Sequence, residues 1–141
     1  MFWIEWWQMI PKVSINLDEV EIQSIPSKDY RMYLETQRIY GKCDKLAVMT
    51  QVVYKRLATE RYQHIIYSWN YGVELQDLFG EPMSYVIPEV ERRIKEALLV
   101  DERIESVDSF EFDTSKRHEL TVKFTVHTIF GDIDATKEVG F

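Results

Sequence analysis

Carboxylates are the most abundant reactive groups in this chain of 141 residues, which holds 24 of them alongside three histidines and one cysteine. Glycosidic hydrolysis needs two carboxylates across a cleft, one of them holding its proton near neutral pH. Glu60 with Glu74 or Asp77 supplies a pair of that kind. Among so many acids such pairs arise by chance, and solvated or salt-bridged carboxylates are the plainer reading. No serine lies in a G-x-S-x-G context, and Cys43 is followed by Asp44 rather than by a base that would expose its thiolate. His64, His118 and His127 share no metal-ligand spacing, and a lone cysteine excludes a cysteine-based zinc site. His118 and His127 read as surface residues, His64 as a core or edge residue. No glycine-rich loop opens a helix to cradle phosphate. The expectation is therefore no catalytic residue, no metal and no cofactor.

The elements around these residues come from a chain sized for one domain with a core of its own. Seventeen Lys and Arg against 24 Asp and Glu give a net charge of −7, which argues against nucleic acid and against an anionic membrane surface. No run approaches the ~20 apolar residues of a membrane span. The single cysteine fits a reducing compartment. The opening segment MFWIEWWQMIP lacks the basic region and cleavage site of a signal peptide. It carries Trp3, Trp6 and Trp7, which suit either a flap over the core or a docking arm; alternatively Met9 is the natural start. Residues 1–28 read as an extended arm, with weak alternation at Val13, Ile15 and Leu17, and residues 29–141 as one domain.

Tyr30, Met32 and Leu34 alternate, and Ile39 follows, which predicts a strand or a bent pair of strands broken at Gly41. Asp44 is placed as an N-cap for a helix over 45–58, with Leu46, Met49, Val53 and Leu57 on one stripe. His64–Trp69 is β-branched and aromatic and predicts a short strand. Asn70-Tyr71-Gly72 is a turn signal, and Val73–Phe79 has room for two helical turns that bury Leu75, Leu78 and Phe79. A further helix, starting at Ser84 or with Pro88 at N1, runs to Leu99 on the ridge Val86, Val90, Ile94, Leu98. From Arg103 the period becomes two: Phe110 and Phe112, then Leu120, Val122, Phe124, Val126 and Thr128, predict an antiparallel hairpin with one buried face. Ile133–Phe141 adds a short last strand. The fold class is α+β, with helices on one face of a small, mostly antiparallel sheet.

Three polar clusters are not explained by a helix face: Thr59-Glu60-Arg61-Tyr62, Trp69-Asn70-Tyr71-Gly72 and Asp101-Glu102-Arg103. An acid–arginine pair where a helix passes into a strand either locks the joint or faces a partner, and the residues themselves favour the lock.

At these clusters the chain resembles the baseplate proteins of contractile tails that start the sheath. That family is labelled tail lysozyme-like and includes the baseplate wedge component of type VI secretion. The resemblance is narrowest to the version in defective prophages and contractile bacteriocins of Gram-positive bacteria. It rests on Thr59–Tyr62 at a helix end, then Ile66-Tyr67-Ser68-Trp69, then Tyr71-Gly72-Val73-Glu74-Leu75, and it spans residues 30–141. The family carries Glu-Pro-Arg at the end of its last helix; here the position reads Asp101-Glu102-Arg103, so the charges persist without the proline.

The resemblance implies a structural virion or phage-tail-like particle component, made in the bacterial cytoplasm, and not an enzyme. Such proteins sit as a sixfold ring around the tail tube, beside wedge proteins, and template the first sheath ring by letting sheath extensions add strands to their sheet edges. It implies partner contacts at Asp101, Glu102 and Arg103 and along the last strands at Val122, Phe124, Val126 and Ile133. Thr59, Glu60, Arg61, Tyr62, Trp69, Tyr71 and Gly72 then form a rigid corner. The other readings are a tail-associated peptidoglycan hydrolase, or a small adaptor unrelated to tails.

Overall fold

The computed structural model describes residues 27–116 and 118–140; the expectations for the tryptophan-rich segment and for Val13, Ile15 and Leu17 fall outside them. An antiparallel hairpin comes first, β1 (Lys28–Tyr33) paired with β2 (Arg38–Asp44). Helix α1 (Leu46–Ala58) follows, then an irregular segment with one 3₁₀ turn at Gln76–Leu78, then helix α2 (Met83–Leu98). Strands β3 (Ile104–Asp113), β4 (Glu119–Thr128) and β5 (Gly131–Gly140) form an antiparallel sheet in which β4 is central. The class is α+β.

Period and packing agree best in α2 and β4. Val86, Val90, Ile94 and Leu98 are all fully buried, as are Leu120, Val122 and Val126, with Phe124 close behind. These residues form one core with Met49, Val53 and Leu57 of α1. Each such side chain contributes about 1.5–3 kcal/mol by leaving water. Two helices on one face of a three-stranded sheet are what that pattern requires.

Several local expectations give way to tertiary context. Asp44 stays in the β ladder opposite Lys28 and does not cap α1; the cap position is Lys45, whose N–H donates to Asp44 Oδ1 at 2.7 Å. Gly41 does not break the strand but sits inside β2 with φ 68°, and the pairing shifts register between Tyr30 and Met32. Leu46 is exposed, and Val48 is buried instead. Pro88 lies inside α2 with Pro82 at the cap position, so the helix forgoes one backbone bond to keep its buried ridge continuous. The last strand is ten residues long rather than short.

The His64–Trp69 strand does not form. No neighbouring strand offers it a ladder, and β-propensity without a partner surface has nothing to act on. The segment folds into turns in which the Tyr67 N–H donates to His64 C=O and the Tyr71 N–H to Ser68 C=O. Ile65 and Ile66 lie in solvent. Val73–Phe79 forms one 3₁₀ turn, at Gln76–Leu78, rather than two helical turns. The Val73 N–H donates to Thr59 C=O at 3.0 Å and the Arg61 N–H to Val73 C=O at 3.2 Å, a short parallel bridge that holds the chain extended. Leu75 and Leu78 are buried, and Phe79 is half exposed.

Candidate partner interface

Thr59, Glu60 and Arg61 lie where α1 ends, and each makes a different bond. The Thr59 hydroxyl donates to Lys55 C=O at 2.8 Å, closing the last helical turn. Glu60 Oε1 accepts the Leu75 and Gln76 N–H groups at 2.9 and 3.2 Å, so one carboxylate caps the 3₁₀ turn from a distant element. Arg61 donates from Nε and Nη2 to Gly72 C=O at 3.3 and 3.2 Å and reaches Glu96 Oε1 at 3.1 Å. Gly72 has φ 94°, and a Cβ there would lie 2.5 Å from the Thr59 carbonyl oxygen. Only glycine fits that approach. Tyr71 stacks on Tyr67 at 4.6 Å and lies under the Arg56 guanidinium, 5.3 Å away. Tyr62 and Trp69 point to solvent, at 67% and 75% exposure.

Of the carboxylates weighed for hydrolysis, Glu60 and Asp77 are engaged. Glu60 holds two backbone donors. Asp77 takes a bidentate contact from Arg93, with the Nη2–Oδ2 distance 2.9 Å, and that bond holds its carboxyl below the usual range. A general acid needs the opposite shift. Among the described residues no group of three or more His, Cys, Asp or Glu side chains is disposed to hold a metal ion, and no helix is long and apolar enough to cross a membrane.

At the joint between α2 and β3, Asp101 and Arg103 form a bidentate pair, Nε to Oδ1 and Nη2 to Oδ2, both at 2.8 Å. The Asp101 carboxylate also accepts the Arg103 N–H at 3.1 Å. These bonds hold its pKa below the ordinary aspartate value. Arg56 of α1 brings a second guanidinium to 3.7 Å from Asp101 and donates to Ala97 C=O at 3.1 Å. Glu102 is the exposed member of the triad.

Val122, Phe124 and Val126 sit on the central strand with their side chains in the core and their backbones flanked by β3 and β5. They do not line a surface. Ile133 is buried too, but it belongs to β5, an edge strand. The sheet thus has two outer edges, and they differ. β3 shifts register twice against β4, between Ile104 and Ser106 and between Asp108 and Glu111, with Ser109 at φ 55°. Bulges of this kind blunt an edge. β5 pairs with β4 through ten consecutive residues without a break. Along its outer side runs a groove of about 220 Å³ between Thr50, Val53, Tyr54, Leu57 and Ala58 of α1 and residues 133–137 of β5.

Two residues that sequence reasoning passed over shape these edges. Gln51 of α1 donates from Nε2 to Tyr30 C=O at 3.0 Å and accepts the Met32 N–H at 2.8 Å, so its amide closes part of the outer edge of β1. Nothing in the spacing of Gln51 signals this. Lys137 is half-buried and lies opposite Val122, on the core side of the sheet. A lysine in the alternation Ile133, Ala135, Lys137, Val139 was a readable signal.

With this geometry in view, the comparisons with known proteins are informative. Residues 26–131 match the family model described as contractile injection system sheath initiator. The chain is also 35% identical, over 137 residues, to the phage-like element PBSX protein XkdS of Bacillus subtilis (strain 168), an alignment that covers 94% of this chain and 96% of that protein.

Proposed function

The chain belongs to the contractile injection system sheath initiators, and we propose that it templates the first sheath ring by taking an extended sheath segment along β5. Family membership gives it a structural role in a contractile tail, in association with sheath and baseplate components. The finer reading is a sixfold ring around the tail tube, held by wedge proteins, whose outward edges seat the sheath in its extended state. Its relative is named for a phage-like element, which supports a prophage-derived or bacteriocin-like particle.

One observation carries the reading: β5 is a regular ten-residue edge with no bulge, lying beside an open groove. An exposed edge of that length is an aggregation hazard that proteins normally blunt. It is retained where another chain's strand is meant to add, with backbone bonds giving affinity and alternate side-chain sites giving specificity. Asp101, Glu102 and Arg103 lie at the other end of the reading, as the contact to neighbouring wedge proteins. Deleting the gene tests it: tubes and baseplates should form without attached, extended sheath, whereas normal contractile tails from the deletion strain would overturn it.

A further inference from the structure

We propose that the segment received in the groove between α1 and β5 carries a carboxylate, and that Lys137 selects it. This rests on the reading above, that the β5 edge accepts an extended segment, and adds what that segment must contain. On β5 the side chains of Ile133, Ala135, Lys137 and Val139 share the face of Val126, Phe124, Val122 and Leu120 opposite them. Seven of these eight are apolar, and Lys137 is the exception. Burial pulls its pKa down, and the charge of Glu60 only partly opposes this. Glu60 Oε1 takes the Leu75 and Gln76 N–H groups, and the carboxylate forms no ion pair with Lys137. Among the described residues Lys137 makes no hydrogen bond or ion pair, although it lines a groove with Val53, Tyr54, Leu57 and Ala135; Asp134, the acid of the same lining, takes the Thr125 hydroxyl at 3.0 Å. A half-buried ammonium with no anion bonded to it is costly, and a carboxylate arriving with a partner would offset that cost.

The geometry specifies the pattern of the incoming segment. A strand laid along β5 sends every second side chain into the groove. Above Ala135 a small wall leaves room for an apolar side chain. Two residues away the next inward side chain meets Lys137. A second copy of this chain is the wrong occupant, because its β5 would bring another lysine to that face rather than an acid. An inward-pointing charge also protects an edge from indiscriminate pairing, so Lys137 both repels self-association and reads the partner.

The test uses the full chain and a labelled nine-residue peptide that alternates threonine with valine, one central valine being replaced by aspartate. The control peptide carries asparagine there. Fluorescence anisotropy should show the aspartate peptide binding about tenfold tighter, with the amides of residues 131–140 that point away from β4 newly protected from hydrogen exchange. Lys137→Met should erase the difference, and Lys137→Glu should transfer the preference to a peptide with lysine in that place. Equal binding of the aspartate and asparagine peptides with β5 protected overturns the role of Lys137 and leaves the β5 edge standing. Protection elsewhere, or binding by neither peptide, overturns the assignment of the groove. Protection, in the free chain, of the β5 amides that point away from β4 overturns it as well, giving the groove to the chain's own residues, or to a second copy if the protection fades on dilution. The deletion phenotype is independent of all these outcomes.

Discussion

Gly72 approaches Thr59 so closely that no other residue fits between them: a Cβ on Gly72 would stand 2.5 Å from the Thr59 carbonyl oxygen, and that same carbonyl accepts the Val73 N–H. The end of α1 and the start of the 3₁₀ segment are thereby pressed backbone to backbone. Gly72→Ala brings both a steric clash and an unfavourable φ of 94°. It should destabilise the protein by about 2–4 kcal/mol, read as a shift in urea midpoint at unchanged slope. A shift under about 0.5 kcal/mol would mean the corner opens freely.

Glu60 separates scaffold from enzyme. Glu60→Gln keeps an acceptor oxygen but loses the charge that strengthens the bonds to Leu75 and Gln76, at a cost of about 1 kcal/mol; Glu60→Ala leaves both donors unmet and costs about 2–3 kcal/mol. Neither the native chain nor the variants should release label from peptidoglycan. Release by the native chain that disappears in Glu60→Gln would make Glu60 catalytic.

The α2–β3 joint holds a lock, Asp101 with Arg103, beside the contact proposed at Glu102. The Arg103 bonds depress the Asp101 pKa from its ordinary 3.8. Their stabilisation is therefore complete above that value and is lost as pH falls through the depressed one. Asp101→Asn should cost about 2 kcal/mol at pH 7, a figure discounted because Arg103 is 32% exposed, and the gap to the native chain should narrow under acid. Glu102→Lys should leave the melting temperature unchanged while reducing incorporation into baseplates, measured by particle composition.

His127 bridges three strands on the outer face of the sheet, with Nδ1 2.7 Å from Asp132 on β5 and Nε2 3.1 Å from Asp108 on β3. Both carboxylates raise its pKa above 6.5, Asp132 foremost, and the histidine lowers that of Asp108 below 3.8. A raised histidine pKa contributes stability that is full below 6.5 and is lost as pH rises through the folded value; the depressed aspartate contributes above 3.8. The bridge should therefore stabilise most between about pH 4 and 6.5. Melting curves across pH should show His127→Gln losing the most there and converging with the native chain at alkaline pH. A constant difference across pH would contradict the bridge.

What the residues disclosed followed from how local the causes were. The ridge Val86–Leu98 and the alternation Leu120–Val126 were legible because a period of 3.6 or 2 in large aliphatic residues leaves little choice of face. His64–Trp69 was misread because its β-branched composition speaks of strand while pairing depends on a neighbour that the fold does not supply. The bonds of Glu60 to Leu75, Arg56 to Ala97 and Gln51 to Tyr30 span 15 to 41 residues, and no spacing rule reaches that far. The family resemblance was carried by the corner, whose strict geometry demands particular residues in a row. The edge strand was legible as a strand, but its lack of an outer partner among the described residues emerged only from the order β3-β4-β5.

The most direct measurement is an image of the assembled baseplate with its extended sheath, at a resolution that traces backbones. A sheath strand hydrogen-bonded along residues 131–140 of this chain is the predicted result. A β5 edge left in solvent while the first sheath ring seats elsewhere would contradict it.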